Sequence, residues 1–394
     1  MPHPVRLGYP AAAAVFAIGM AGTTLPTPLY GLYREELGFS ELMVTVVFAV
    51  YAVGVITVLL TAGDYSDRAG RRPVLLLALL LSAASALCFL FEGGLPLLFA
   101  GRLLSGFAAG LFSGGATAAV LDLAPPEARA RAGFAATAAN MGGLGCGPLL
   151  AGLLAEYAPR PLALPFLTHL ALLALAALLL LGLPETVENR EHRPRPKPQG
   201  MIVPPAARAV FVPAALAGFA GFSLLGLFTA VAPSFLAETL RVRNLAVAGA
   251  VVFSVFLAST AGQLLSPRLG VRRALPRGCF VLVLGLALIA ASLLAESLPL
   301  LILGAVTGGT GQGLAFRAAV ISVGTAAPAA QRGATVSAFF VVAYTGISLP
   351  VVGVGALTLW LGLRPAGVLF TAIVALLAVL VGLRLRRTPA PEAA

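Results

Sequence analysis

The sequence predicts an all-helical membrane protein, with twelve transmembrane helices in two pseudo-symmetric halves of six. Three observations carry that prediction. Hydrophobic residues make up 59% of the 394-residue chain and charged residues only 10%, with a mean hydropathy of +0.98, whereas about a quarter of a soluble domain is charged. About twelve apolar runs reach the length that crosses a bilayer, roughly 20 residues. Lipid offers no water to unpaired backbone groups, so runs this long are helices and not barrel strands. The second half of the chain also repeats the first. Pro96, Gly101, Gly106, Gly110, Pro125 and Arg129 recur 203 residues on as Pro299, Gly304, Gly309, Gly313, Pro328 and Arg332, and Pro148 matches Pro350 one residue out of register.

The elements follow in order. The first span, 9–31, has no small-residue cleavage site and is followed by further spans, so it reads as helix 1 and not as a removable leader. Thr23-Thr24-Leu25-Pro26-Thr27-Pro28-Leu29-Tyr30 breaks it near its outer end, where two prolines free carbonyls that the threonines and Tyr30 can satisfy. Helices 2 (41–62) and 3 (73–91) flank a charged turn. Helix 4 (96–123) carries Arg102 and Asp122, helix 5 (130–157) carries Asn140 and a run of glycines, and helix 6 (162–183) carries a lone His169, read as structural. Residues 184–208 interrupt the pattern. Arg193-Pro194-Arg195-Pro196-Lys197-Pro198 cannot be helical, because each proline lacks a donor and restricts the residue before it. The segment reads as an extended linker between an N-terminal half, 1–183, and a C-terminal half, 209–394. Helices 7 to 12 follow at 209–236, 244–266, 275–295, 298–325, 333–358 and 363–384.

The net charge of +11 is a matter of topology. With both termini in the cytoplasm, nineteen basic residues fall inside, and only Arg34, Arg160, Arg241, Arg243 and Arg364 fall outside. That asymmetry is the positive-inside pattern of an even number of spans, and it implies no nucleic-acid partner. Cys88, Cys146 and Cys279 all lie in apolar spans, so no disulfide framework follows. The chain has no His-Glu-x-x-His, no Gly-x-Ser-x-Gly, no phosphate-binding Walker loop and no metal-ligand cluster. Gly308-Gly309-Thr310-Gly311-Gln312-Gly313 lies mid-span with no preceding strand, so it fails the nucleotide fingerprint. Neither an enzyme nor a cofactor is expected.

The densest charge is Gly63-Asp64-Tyr65-Ser66-Asp67-Arg68-Ala69-Gly70-Arg71-Arg72, between helices 2 and 3. Gly63 and Gly70 permit close helix approach and a sharp reversal, and Asp67 is placed to pair with Arg71. This turn, with Arg68 and Arg72 at their defined positions, resembles the signature of the major facilitator superfamily of secondary transporters. A counterpart at Gln263–Arg273 keeps the glycine and arginines but lacks any acid. The resemblance implies a cytoplasmic latch for the outward-facing state, in which Asp67 meets the start of helix 11 near Arg332 to Thr335. Asp122 belongs to the same latch, with Arg71 or Arg131 as its partner.

Two further stretches resemble the superfamily's motifs. An arginine within a span costs at least about 2.5–3.5 kcal/mol and therefore faces a cavity or a partner, or snorkels to the headgroups. The context of Arg102, through Ser105 and Gly106 to Gly110, is similar to the helix 4 motif that links this arginine to proton coupling, although Ser105 stands where glutamine is more usual. In helix 5, Gly143, Gly147, Pro148 and Gly152 permit close packing and a bend. They resemble the Gly-x-x-x-Gly-Pro element of the antiporter branch, which implies efflux. Helices 1, 4, 7 and 10 line the cavity in this fold, so Arg102, Asn140, Gln312 and Arg317 are expected to converge there. Residues 9–31 hold no acid, where many proton-coupled drug antiporters place one, and Glu41, Glu156 and Glu238 read as solvated carboxylates near the outer face.

The expectation is alternating-access export of a small molecule across a bacterial inner membrane, by a monomer in the lipid bilayer, with the proton as coupling partner. Proton-independent transport or uptake of a sugar or organic anion stays open, favoured by two embedded arginines without an embedded acid. A non-transporting receptor or scaffold on the same fold is the remaining alternative.

Overall fold

A computed structural model describes residues 8–91, 93–188, 191 and 200–387. The Arg193–Pro198 run of the linker lies outside the described residues. Twelve helices among them are long and apolar enough to cross a membrane: α1 (Tyr9–Leu37), α2 (Glu41–Ala62), α3 (Arg71–Leu90), α4 (Leu95–Asp122), α5 (Pro126–Tyr157), α6 (Leu164–Gly182), α7 (Pro205–Thr239), α8 (Leu245–Leu269), α9 (Val271–Ala295), α10 (Leu298–Ala326), α11 (Ala329–Leu361) and α12 (Leu363–Arg387). Several ends lie beyond the apolar runs. α1 continues to Leu37 and α9 begins at Val271, because charged residues leave a hydropathy window without leaving the helix.

In the first six helices α4 packs on α1, α2 and α3, α5 packs on α1, and α3 packs on α6. The last six repeat the plan, with α10 on α7, α8 and α9, α11 on α7, and α9 on α12. The repeat extends to backbone detail. Gly70 (φ 104°, ψ 151°) starts α3 and Gly270 (φ 70°, ψ 153°) starts α9, both in a conformation open to glycine and strained for other residues. Proline breaks the first helix of each set. The first α-helical part of α1 ends at Thr24, a 3-10 turn follows at Thr27–Leu29, and the α-helix resumes over Tyr30–Leu37. In α7, π-helical turns at Leu227–Val231 and Phe235–Thr239 flank Pro233, which cannot donate to the helix ladder.

Two helix pairs, α5 with α8 and α2 with α11, join the two sets. The joints are tightest on the face opposite the Asp67 turn. A Cβ on Gly152 or Gly249 would overlap the backbone of Leu245 or Pro148 across the α5–α8 joint, and one on Gly355 would overlap Thr45 of α2. Polar contacts reinforce this far face. Glu156 Oε2 accepts from the Leu245 amide at 2.8 Å, Asn244 donates to the Tyr157 hydroxyl at 3.4 Å, and Arg34 pairs with both Glu238 (2.7 Å) and Glu41. Glu41 is therefore buried and paired, not solvated, and Glu156 and Glu238 have cross-joint partners.

On the turn face the two sets stand apart. A cleft of about 280 Å³ separates Asp67 and Gly114 from Gly333, Val336 and Ser337.

Candidate functional site

The turn face carries a network of charges. Arg71 reaches Asp67 at 2.5 Å, Asp122 at 3.1 Å and the Ser66 hydroxyl at 2.8 Å. Arg68 pairs with Asp64 at 3.1 Å and Glu191 at 3.4 Å, and Arg72 donates to the Leu181 carbonyl at 2.9 Å. Arg71 is thus the shared partner of both acids, and Gly63 and Gly70 bracket the one-turn helix Tyr65–Ala69. No hydrogen bond or ion pair among the described residues joins Asp67 to Arg332–Thr335. The Asp67 side chain is 61% exposed, and Thr335 donates to the Ile202 and Gln331 carbonyls instead. The expected latch contact is not made, and the cleft lies between its two sides.

Glu185 was legible only as the start of a linker. Its carboxylate accepts from the amides of Arg71 (2.8 Å) and Arg72 (3.1 Å), and from those of Thr186 (3.0 Å) and Val187 (3.1 Å). It thereby caps the N-terminus of α3, where orphan amides and the helix dipole favour a carboxylate. Thr186 adds a hydrogen bond to Asp122 at 3.2 Å. The start of the linker is stitched to the turn.

A central cavity of about 270 Å³ lies between the two sets of helices, with Arg102 in its wall. Arg102 is 1% exposed, so it does not snorkel. Nη1 donates to the Thr23 carbonyl at 2.6 Å and Nη2 to the Phe48 carbonyl at 3.4 Å. The proline break in α1 ends the regular ladder at Thr24 and leaves the Thr23 carbonyl for this use. The guanidinium carbon lies 5.1 Å from the Phe48 ring centroid and 4.7 Å from that of Tyr51. Desolvated cation–π contacts of this kind contribute about 2 kcal/mol. No described carboxylate lies within ion-pair distance of Arg102.

Asn140 also lines the cavity, with Oδ1 buried and without a partner among the described residues. Gln312 and Arg317 do not join them. Gln312 is buried behind the wall and accepts from Ser259 at 2.5 Å, while Gln263 donates to the same hydroxyl at 3.4 Å. Arg317 is half-buried and absent from the lining. The helical phase explains this. Phe316, one residue earlier, faces the cavity, and its neighbour is turned about 100° away.

The sequence reading missed the aromatic wall. Phe222, Phe316, Phe340 and Tyr344 form a closed circuit of rings with centroids 5.4–6.5 Å apart, and Phe48 and Tyr51 face it from α2. The signal was available in the i, i+3 spacing of Phe48 and Tyr51 and the i, i+4 spacing of Phe340 and Tyr344. The cavity and the turn-face cleft share Ser113 and Phe340, whereas a far-face vestibule of about 960 Å³ shares no lining residue with the cavity. The cavity therefore lies next to the turn-face cleft, with Ser113 and Phe340 as their common wall.

The α5 glycines work on two sides. A Cβ on Gly143 or Gly147 would overlap the Ala17 or Ala21 carbonyl of α1, whereas Gly152 faces α8. Pro148 is buried within the helix. His169 is buried, with Nε2 3.3 Å from the Ser82 hydroxyl.

A family model described as Major Facilitator Superfamily matches residues 12–349. Multidrug resistance protein 1 of Bacillus subtilis (strain 168) is 32% identical over 177 residues, 45% of each chain. Tetracycline resistance protein, class B, of Escherichia coli is 34% identical over 146 residues, 36% of this chain and 35% of that one. The matched stretch spans less than half of each relative. Among solved structures, a POT family transporter in complex with a thioalcohol-conjugated peptide superposes with a TM-score of 0.76 at 15% identity, over 95% of this chain and 94% of that chain. The human organic anion transporter MFSD10 (TETRAN) superposes with a TM-score of 0.66 at 19% identity, over 95% and 98%. At these identities the structural likeness speaks for the fold.

Proposed function

The chain belongs to the Major Facilitator Superfamily of transporters, and on that premise we propose that it exports a small molecule by alternating access, with inward proton movement as the driving step. The observation that carries this reading is a buried Arg102 in the wall of a cavity that lies between two sets of helices, next to a cleft on one face. The relatives named for drug resistance support the outward direction. The turn face is cytoplasmic in this reading, as the basic residues around it require. Residues 1–183 and 209–394 rock against each other along the α2–α11 and α5–α8 joints. The Arg71 network and Asp67 close the cytoplasmic side when the far-face contacts part.

Substrate-triggered proton release from energised everted vesicles tests the reading, with Arg102→Ala beside the wild type. Release that disappears in a folded variant supports antiport. Transport without proton release would move the account to proton-independent export. That second reading is favoured by one observation: no carboxylate among the described residues lines the cavity.

A further inference from the structure

Resting on the export reading, we infer that the central cavity takes a small planar aromatic monoanion, its acid group on Arg102 and its ring in the wall built by Phe222, Phe316, Phe340 and Tyr344. A guanidinium taken out of water is strongly destabilised unless it is paired. Here it has two carbonyl dipoles, two aromatic faces and no counter-ion, and its Nε has no partner among the described residues. No described carboxylate lines the cavity; those on the spanning helices lie toward the helix ends, as in the Arg34–Glu41–Glu238 group at the far face and the Arg71–Asp67–Asp122 group at the turn face. The missing charge is one that a ligand can bring. A cationic ligand would meet a like charge in a water-poor site and find no acid.

Size and shape narrow the class. A volume of about 270 Å³ falls just under the roughly 300–1,000 Å³ of ordinary small-molecule pockets, which suits one or two fused rings. The four wall rings meet at interplanar angles from 32° to 79° and present both edges and faces to a flat guest. Asn140 can offer its amide N–H to a second acid oxygen, since the assignment of its amide O and N follows the bonding partner. An anion of this kind is also driven out of a negative interior by the membrane potential alone, by roughly fiftyfold per 100 mV.

The test is equilibrium binding to the purified full-length protein of three probes that differ in charge: 1-naphthoate, 1-naphthamide and 1-naphthylmethylammonium. A charge partner at this range shifts affinity by roughly ten- to a hundredfold. The order expected is naphthoate, then amide, then ammonium, with at least about tenfold between the first and last. Asn140→Asp, which adds a carboxylate to the wall, should narrow or reverse that order. Equal binding of all three, tighter ammonium binding, or no binding of any overturns the inference. If vesicles export the ammonium probe, the export reading stands and the anion falls. If naphthoate binds but no probe crosses the membrane, the site stands and the export reading falls.

Discussion

Adding one methyl group at Gly152 should tip the transporter toward the state open at the far face. The Cβ of Gly152→Ala would press on the Leu245 carbonyl, with Ala246 Cα 3.3 Å behind it. Both belong to the first turn of α8, which Glu156 and the Asn244 cap hold in place, so no side-chain rotation relieves the overlap. Overpacking of this kind costs about 1–3 kcal/mol. The cost falls only on the conformation in which α5 and α8 meet at this end, so the equilibrium should shift by roughly 5- to 150-fold. Gly147→Ala is the control, because its Cβ meets Ala21 and Thr24 of α1, inside one set of helices that the proposed rocking moves as a unit. It should lower stability without biasing the two states. Spin labels at Glu36 and Arg243, exposed on opposite sets at the far face, report the opening as an interlabel distance. A longer distance with Gly152→Ala and none with Gly147→Ala is the expected pair. An unchanged distance in a folded Gly152→Ala protein, or the same shift in both variants, would refute the reasoning.

Three further outcomes follow from the same contacts. Arg102→Lys keeps the charge but loses the fork that reaches two carbonyls at once, so transport should fall more than about tenfold while the unfolding midpoint stays within a few degrees. Glu185→Ala strips the acceptor from four backbone amides, two of them in the first turn of α3. It should cost about 1–3 kcal/mol, read as a lower unfolding midpoint and faster proteolysis within 184–208; unchanged values would count against the capping role. Glu238→Gln removes only the Arg34–Glu238 pair, whose side chains are 26% and 45% exposed. Screened pairs of that kind contribute under about 1 kcal/mol, so the far-face distance should shift by at most about fivefold in population, less than with Gly152→Ala.

The spans were readable because a bilayer imposes length and composition on each helix, and Leu, Ala and Val meet that demand without ambiguity. The charged turn was readable for a related reason. Charge between two spans must sit at a face, and Asp67 and Arg71 are four residues apart; Asp122, 51 residues on, was placed beside them only by the family resemblance. Convergence in the cavity was harder. Arg102 and Asn140 reach it, but Gln312 and Arg317 miss it by helical phase, which a list of embedded polar residues does not contain. Glu185 looked like linker because an N-terminal cap reaching from the end of α6 to the start of α3 is a tertiary contact between segments more than 110 residues apart. Glu41 looked solvated because its partner, Arg34, belongs to a stretch of α1 beyond the apolar run. The contact between Asp67 and α11 is absent among the described residues, where a cleft lies between the two.

The claim on which the rest depends is that one cavity opens to each face in turn. The most direct measurement is the reactivity of a cysteine at Asn140, introduced after replacing Cys88, Cys146 and Cys279, toward a membrane-impermeant thiol reagent applied from either side. The account predicts labelling from the turn face in the resting protein and from the far face when Gly152→Ala is added. A folded protein that is labelled from the turn face only, in both backgrounds, would contradict it.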